Sequence, residues 1–152
     1  FNVTDNNRNT AVALADFWRG LGIRTRFTAT DAKTHFAYLR DGGDFDLARI
    51  SWYADYSDPQ NFLFLLRTGN DGLNPGRWSN ADYDRLLAEG AAERDVGRRA
   101  DLLFAAERIA LAELPWIPLL HYRSKALIPA RLHGFHQNLR NAAPTRYLSL
   151  TP

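Results

Sequence analysis

Asp55 and Asp58 stand three residues apart in a stretch that also holds Trp52, Tyr53 and Tyr56, with Arg49 just before it. Paired carboxylates can share acid and base work. A carboxylate among aromatic rings can hold a cation such as an α-ammonium group, because charge and ring faces both attract it. An arginine such as Arg49 can fork two hydrogen bonds to a carboxylate. Each reading has a plainer alternative. Aspartates in loops also cap turns, and Arg49 can pair within the chain with Asp46 or Asp55. Residue types alone lean toward these plainer roles.

Other chemistry finds little support. The histidines are His35, His121, His133 and His136. None sits with Cys or Glu at zinc-ligand spacing, and no His-Glu-x-x-His occurs. There is no Gly-x-Ser-x-Gly elbow, phosphate loop or dinucleotide fingerprint. Cysteine is absent, which removes disulfides, thiolate metal sites and thiol nucleophiles together. With 19 Lys+Arg against 17 Asp+Glu the net charge is +2, and the bases are scattered. That lacks the basic stripe of a nucleic-acid binder. No apolar run reaches the roughly 18 residues of a membrane span.

The 152 residues, 45% hydrophobic, suffice for one ordinary domain with its own core. The chain starts with Phe1, and Phe1 to Thr4 reads like the tail of a strand, so a fragment is expected. After the polar turn Asp5 to Asn9, apolar residues Val12, Leu14, Ala15, Phe17, Trp18 and Leu21 recur at helical spacing up to Gly20 and Gly22. Ile23 to Ala29 alternates as a half-buried strand. A helix from Asp31 to about Asp41 follows, capped by Thr30 or Asp31, with Phe36 and Leu39 inward and Gly42-Gly43 as its end.

Phe45 to Trp52 is the next strand, so the order matches βαβ units. The polar stretch lies at its carboxyl end, where α/β proteins commonly hold ligands. Pro59 can open a short helix through Leu66, and residues 67–78 form a Gly/Asn-rich loop. Ser79 or Asn80 caps a helix that buries Tyr83, Leu86 and Leu87. Asp95 caps another, from Val96 to about Leu114, with Leu102, Leu103, Ala106, Ile109 and Ala110 on its apolar face. Strands are expected at Pro115 to Tyr122, Lys125 to Ala130 and Arg146 to Leu150, with Pro118 marking an edge or bulge.

Several of these stretches resemble one family. Trp52-Tyr53-Ala54-Asp55-Tyr56-Ser57-Asp58-Pro59-Gln60-Asn61-Phe62-Leu63 is similar to the Trp-x-Ala-Asp-Tyr-x-Asp/Glu-Pro-x-x-Phe-Leu motif of extracellular solute-binding proteins of ABC transporters, in the peptide-binding family 5. Asn80 to Leu87, Asp95 to Arg99 followed by Leu103, Ala106-Glu107 and Ile109, and Pro115-Trp116-Ile117-Pro118-Leu119 resemble later motifs of that family, in the same order. The resemblance covers nearly the whole chain.

The resemblance implies an α/β, periplasmic-binding-protein-like lobe of type II kind, with a mixed, mostly parallel sheet flanked by helices. Residues 1–152 would then be a single domain, the greater part of the C-terminal lobe alone. Its partners would be a peptide ligand, an ABC transporter permease and the N-terminal lobe of the same protein, in the periplasm or outside the cell. The implied protein is not an enzyme and carries no cofactor or metal. Asp55 takes the role of anchor for the ligand's α-amino group. Ser51 and Tyr53 offer backbone to an extended peptide, as in strand addition. Arg49 meets a peptide carboxylate, Trp52 lines the site, and Arg40 falls where some oligopeptide binders have a pocket-lining Arg. The family also includes binders of nickel complexes, opines and sugars. A hydrolase using Asp55 and Asp58 is the alternative from another class, and it requires both carboxylates on one cavity.

Overall fold

A computed structural model of the chain describes residues 1–70, 72–121, 123, 125–138 and 141–151. The elements in order are α1 (Asp5–Arg19), α2 (Ala32–Arg40), the short α3 (Gln60–Leu63) with a 3-10 turn (Phe64–Leu66), α4 (Ala81–Ala92), α5 (Val96–Glu113), β1 (Leu132–His133), a 3-10 turn (Thr145–Tyr147) and β2 (Ser149–Leu150). They divide between two compact units, Phe1–Tyr53 with Leu65–Asp84 and Ala54–Phe64 with Arg85–Pro152.

In the first unit, α1 begins at Asp5, earlier than the polar composition of residues 5–9 suggests. Thr4 caps it by accepting the Asn7 N–H at 3.2 Å. Asn7 is buried, and its amide donates to the Asn2 carbonyl at 2.9 Å. Of the apolar residues read onto this helix, Leu14, Ala15 and Trp18 are half-buried, while Val12, Phe17 and Leu21 are exposed. Six apolar positions wrap more than one face, and only one face turns inward. Gly22 ends the segment at φ +78°, a conformation that glycine adopts without Cβ strain.

Helix α2 is capped by Asp31, whose carboxylate accepts the Thr34 N–H at 3.0 Å. It buries Leu39 and His35; Phe36, expected inside, is exposed. The loop over residues 67–70 and 72–78 is pinned. Buried Asn74 donates to the Trp78 carbonyl at 2.7 Å and to the Leu66 carbonyl at 3.4 Å, and Asp84 accepts the Thr68 N–H at 3.0 Å. Tyr83, with 0% exposure, meets the Trp78 ring edge-on at 4.9 Å. Asn80 caps α4 by accepting the Tyr83 N–H at 3.0 Å.

In the second unit, Asp95 caps α5 through the Arg98 N–H at 2.8 Å, and Leu114 closes it in the left-handed region at φ 51°. Leu103, Ala106 and Ala110 form its buried stripe, with Leu102 and Ile109 half-buried beside it. Gly90 is buried against this helix. A Cβ there would lie 3.3 Å from Leu103 Cδ2, so the close approach depends on a residue with no side chain. Helix α3 also packs on α5. Strands β1 and β2 pair antiparallel, Leu132 opposite Leu150.

The sheet is the main departure from expectation. Ile23 to Ala29, Phe45 to Trp52, Pro115 to His121 and Lys125 to Ala130 carry no assigned strand, and Tyr122 lies outside the described residues. The parallel pairing among the described residues is a single bridge, Asn2 to Thr30, held by the Val3 N–H to the Thr30 carbonyl at 2.8 Å. Alternation tells which side chains share a face, but a strand exists only with a neighbour, and a parallel neighbour comes from a distant segment. Ile23, Phe27 and Leu47 remain exposed. No helix among the described residues is long and apolar enough to cross a membrane.

Candidate functional site

The second unit contains the loop that begins at Ala54. Asp55 is exposed, and its position is set by Asn61, which is 1% exposed. The Asp55 N–H donates to Asn61 Oδ1 at 2.9 Å. The Asn61 amide in turn points Nδ2 at Asp55 Oδ2, 3.5 Å away. Three residues on, Asp58 lies just before α3. Its Oδ1 accepts the Gln60 N–H at 2.9 Å, and its backbone carbonyl accepts the Asn61 N–H at 3.1 Å. Pro59 sits at φ −55°, already helical, where its missing N–H costs nothing. Tyr56 donates its hydroxyl to Gln60 Oε1.

Arg99 of α5 reaches this loop. Its Nη1 and Nη2 donate to Asp58 Oδ2 and Oδ1 at 2.8 and 3.0 Å. The pair is bidentate, the strongest form of a guanidinium–carboxylate contact. The Arg99 guanidinium holds the Asp58 carboxyl below its ordinary range, with the Gln60 N–H adding to it and partial burial opposing it. Asp58 in turn raises Arg99. A carboxylate so bound is neither a proton donor near neutral pH nor free to face a substrate. Asp58 is therefore bound to the first amide of α3 and to Arg99, and the two-aspartate hydrolase reading falls.

The first unit holds Arg40, Arg49, Ser51, Trp52 and Tyr53. His35 is 4% exposed, and its Nε2 lies 3.0 Å from the Arg49 carbonyl, which fixes the backbone there. As a carbonyl only accepts, Nε2 carries the proton. Burial lowers the His35 pKa; the bond to the Arg49 carbonyl opposes this, and the Arg49 charge adds to it. The half-buried Arg49 donates from Nη1 to Ser51 Oγ at 3.2 Å. Ser51 and Trp52 are half-buried, and Tyr53 is exposed. Arg40 stands exposed at the end of α2 with Nε 3.8 Å from Asp41. The structure thus joins Arg49 to Ser51 within one unit and Asp55 to Asn61 within the other.

Sequence reasoning passed over Asn61, Arg99 and the role of His35. Asn61 and Arg99 both lie inside stretches singled out as motifs, but partners 41 residues apart such as Asp58 and Arg99 leave no local spacing signal. Among the described residues no group of three His, Cys, Asp or Glu side chains is placed to hold a metal.

Comparison with known proteins gives concordant matches. Residues 1–74 match the family described as bacterial extracellular solute-binding proteins, family 5 Middle. Over 139 residues, 91% of this chain, the sequence is 34% identical to the periplasmic murein peptide-binding protein MppA of Escherichia coli, covering 26% of that protein. It is also 34% identical, over 89% of the chain and 25% of the relative, to the probable deoxycholate-binding periplasmic protein YgiS of Escherichia coli. The solved structure of the Escherichia coli murein tripeptide binding protein MppA superposes with a TM-score of 0.86 and 32% identity, over 98% of this chain and 29% of that one. The chain spans about a quarter of the length of the curated relatives it matches.

Proposed function

The chain belongs to the bacterial extracellular solute-binding proteins of family 5, and on that premise we propose that it is part of the C-terminal lobe of a periplasmic peptide-binding protein serving an ABC importer. The protein captures solute and performs no catalysis. A mostly parallel sheet forms in the whole protein, where segments 23–29 and 45–52 find ladder partners. An N-terminal lobe closes over the ligand, and a permease receives it.

Recognition rests on Asp55. Its carboxylate pairs with the α-ammonium group of the peptide, while backbone at Ser51 and Tyr53 reads the extended main chain without selecting side chains. Arg49 answers a peptide carboxylate, with Trp52 and Arg40 lining the site. The observation that carries this reading is an exposed aspartate whose backbone is held by a buried asparagine, at the position of the family's Trp-x-Ala-Asp-Tyr aspartate. In a site dried by closure such a charge pair contributes roughly 2–4 kcal/mol, much of it the penalty of leaving a charge buried alone.

A non-peptide solute is the second reading, and one relative of equal identity is named as probably deoxycholate-binding. Native mass spectrometry of the whole protein taken from its host separates the two. Peptide masses released from the complex are expected; a single non-peptide compound would overturn the peptide assignment.

A further inference from the structure

We propose that Asn61 is the positioning residue for the Asp55 anchor, a role that rests on the peptide-binding reading above. An exposed aspartate on a loop is a poor anchor unless something holds it. Its main chain can tilt and its carboxylate can rotate, and freezing both on binding would weaken the complex. Asn61 removes part of that loss in advance. Its amide oxygen takes the Asp55 N–H at 2.9 Å, which fixes the backbone of the anchor. The amide nitrogen of the same side chain lies 3.5 Å from Asp55 Oδ2. A single side chain therefore addresses both the main chain and one carboxylate oxygen of the anchor. The other oxygen is left for a ligand cation.

The support continues behind Asn61. Its own N–H is tied to the Asp58 carbonyl at 3.1 Å. Asp58 is clamped by both guanidinium nitrogens of Arg99 at 2.8 and 3.0 Å, and α5 carries Arg99 on a regular helix of 18 residues. The order of support runs from α5 through Arg99, Asp58 and Asn61 to Asp55. Asn61 is 1% exposed, so it touches no ligand itself and acts only through its neighbour.

A double-mutant cycle on the whole protein tests this, with dialanine, trialanine and tetraalanine as probes beside their N-acetylated forms. The parent protein binds the free-amine peptides; if it binds none of them, the peptide reading and this inference fall together. Asp55→Asn weakens free-amine binding; if it does not, the anchor and its positioning residue are both overturned. Asn61→Ala is expected to weaken free-amine peptides about five- to tenfold. It should change N-acetylated peptides, and any peptide in the Asp55→Asn background, by less than about twofold. An Asn61→Ala effect of equal size in both backgrounds, or no effect at all, overturns the positioning role while leaving the anchor standing. Should Asn61→Ala fail to fold by circular dichroism, Asn61→Ser keeps a small polar group in the buried position and is read through the same cycle.

Discussion

Arg99 grips both carboxylate oxygens of Asp58, at 2.8 and 3.0 Å, and so ties the first turn of α5 to the loop that carries Asp55. The two residues come from different sequence motifs, and their pairing gives each motif a physical reason. The aspartate needs a partner to justify partial burial, and the arginine sits one turn into a helix that Asp95 has capped.

Loss of this clasp should cost stability. Arg99→Ala is expected to destabilise the chain by roughly 1–2 kcal/mol, a modest figure because the side chains retain 30% and 29% exposure and water screens the pair. Urea denaturation checks it. The pH dependence follows from Asp58, whose folded carboxyl titrates below its ordinary 3.8. The unfolded chain therefore binds the proton first, so the stability is present above about pH 4 and is lost as pH falls through the depressed value. Arg99→Ala should shrink that acid-side loss, leaving the part due to the Gln60 N–H; an unchanged acid slope would contradict the assignment.

His35 gives a separate pH response in a higher range. Burial lowers its pKa from the ordinary 6.5, so below that value the unfolded chain binds more protons than the folded one. Stability should fall as pH drops through the range just under 6.5. His35→Gln, which keeps a donor for the Arg49 carbonyl, should flatten that slope. Denaturation midpoints measured between about pH 5 and 7 read this directly.

Tyr83 anchors the core of the first unit against Trp78. Since Tyr83 has 0% exposure, Tyr83→Ala should cost about 3 kcal/mol or more, as large aromatic truncations in cores do. Tyr83→Phe should cost far less, since the ring packing survives. Thermal or urea melts of the two variants separate packing from the hydroxyl's contribution.

Local signals are legible in the sequence. Asp31, Asn80 and Asp95 cap the helices as their residue types suggest, because a cap needs only a side chain and an amide a few residues on. The stripe Leu103, Ala106 and Ala110 follows from helical spacing alone. Non-local relations were not legible. The segment 23–29 has the alternation of a strand and 45–52 is a short apolar run, but nothing in either names the partner a ladder requires. Phe36 and His35 are adjacent, and hydrophobicity favoured the phenylalanine. The histidine is the one inside, because the Arg49 carbonyl needs a donor there. For the same reason Asp58 could be recognised as a helix start but not as the partner of Arg99, and Asn61 read as helix filler rather than as the group that holds Asp55.

The account depends most on Asp55 as the ligand's ammonium anchor. Titration calorimetry of an oligopeptide into the whole protein, parent against Asp55→Ala, measures that contribution directly. A loss of affinity of about tenfold or more is predicted; equal affinity in the two proteins would contradict the anchor.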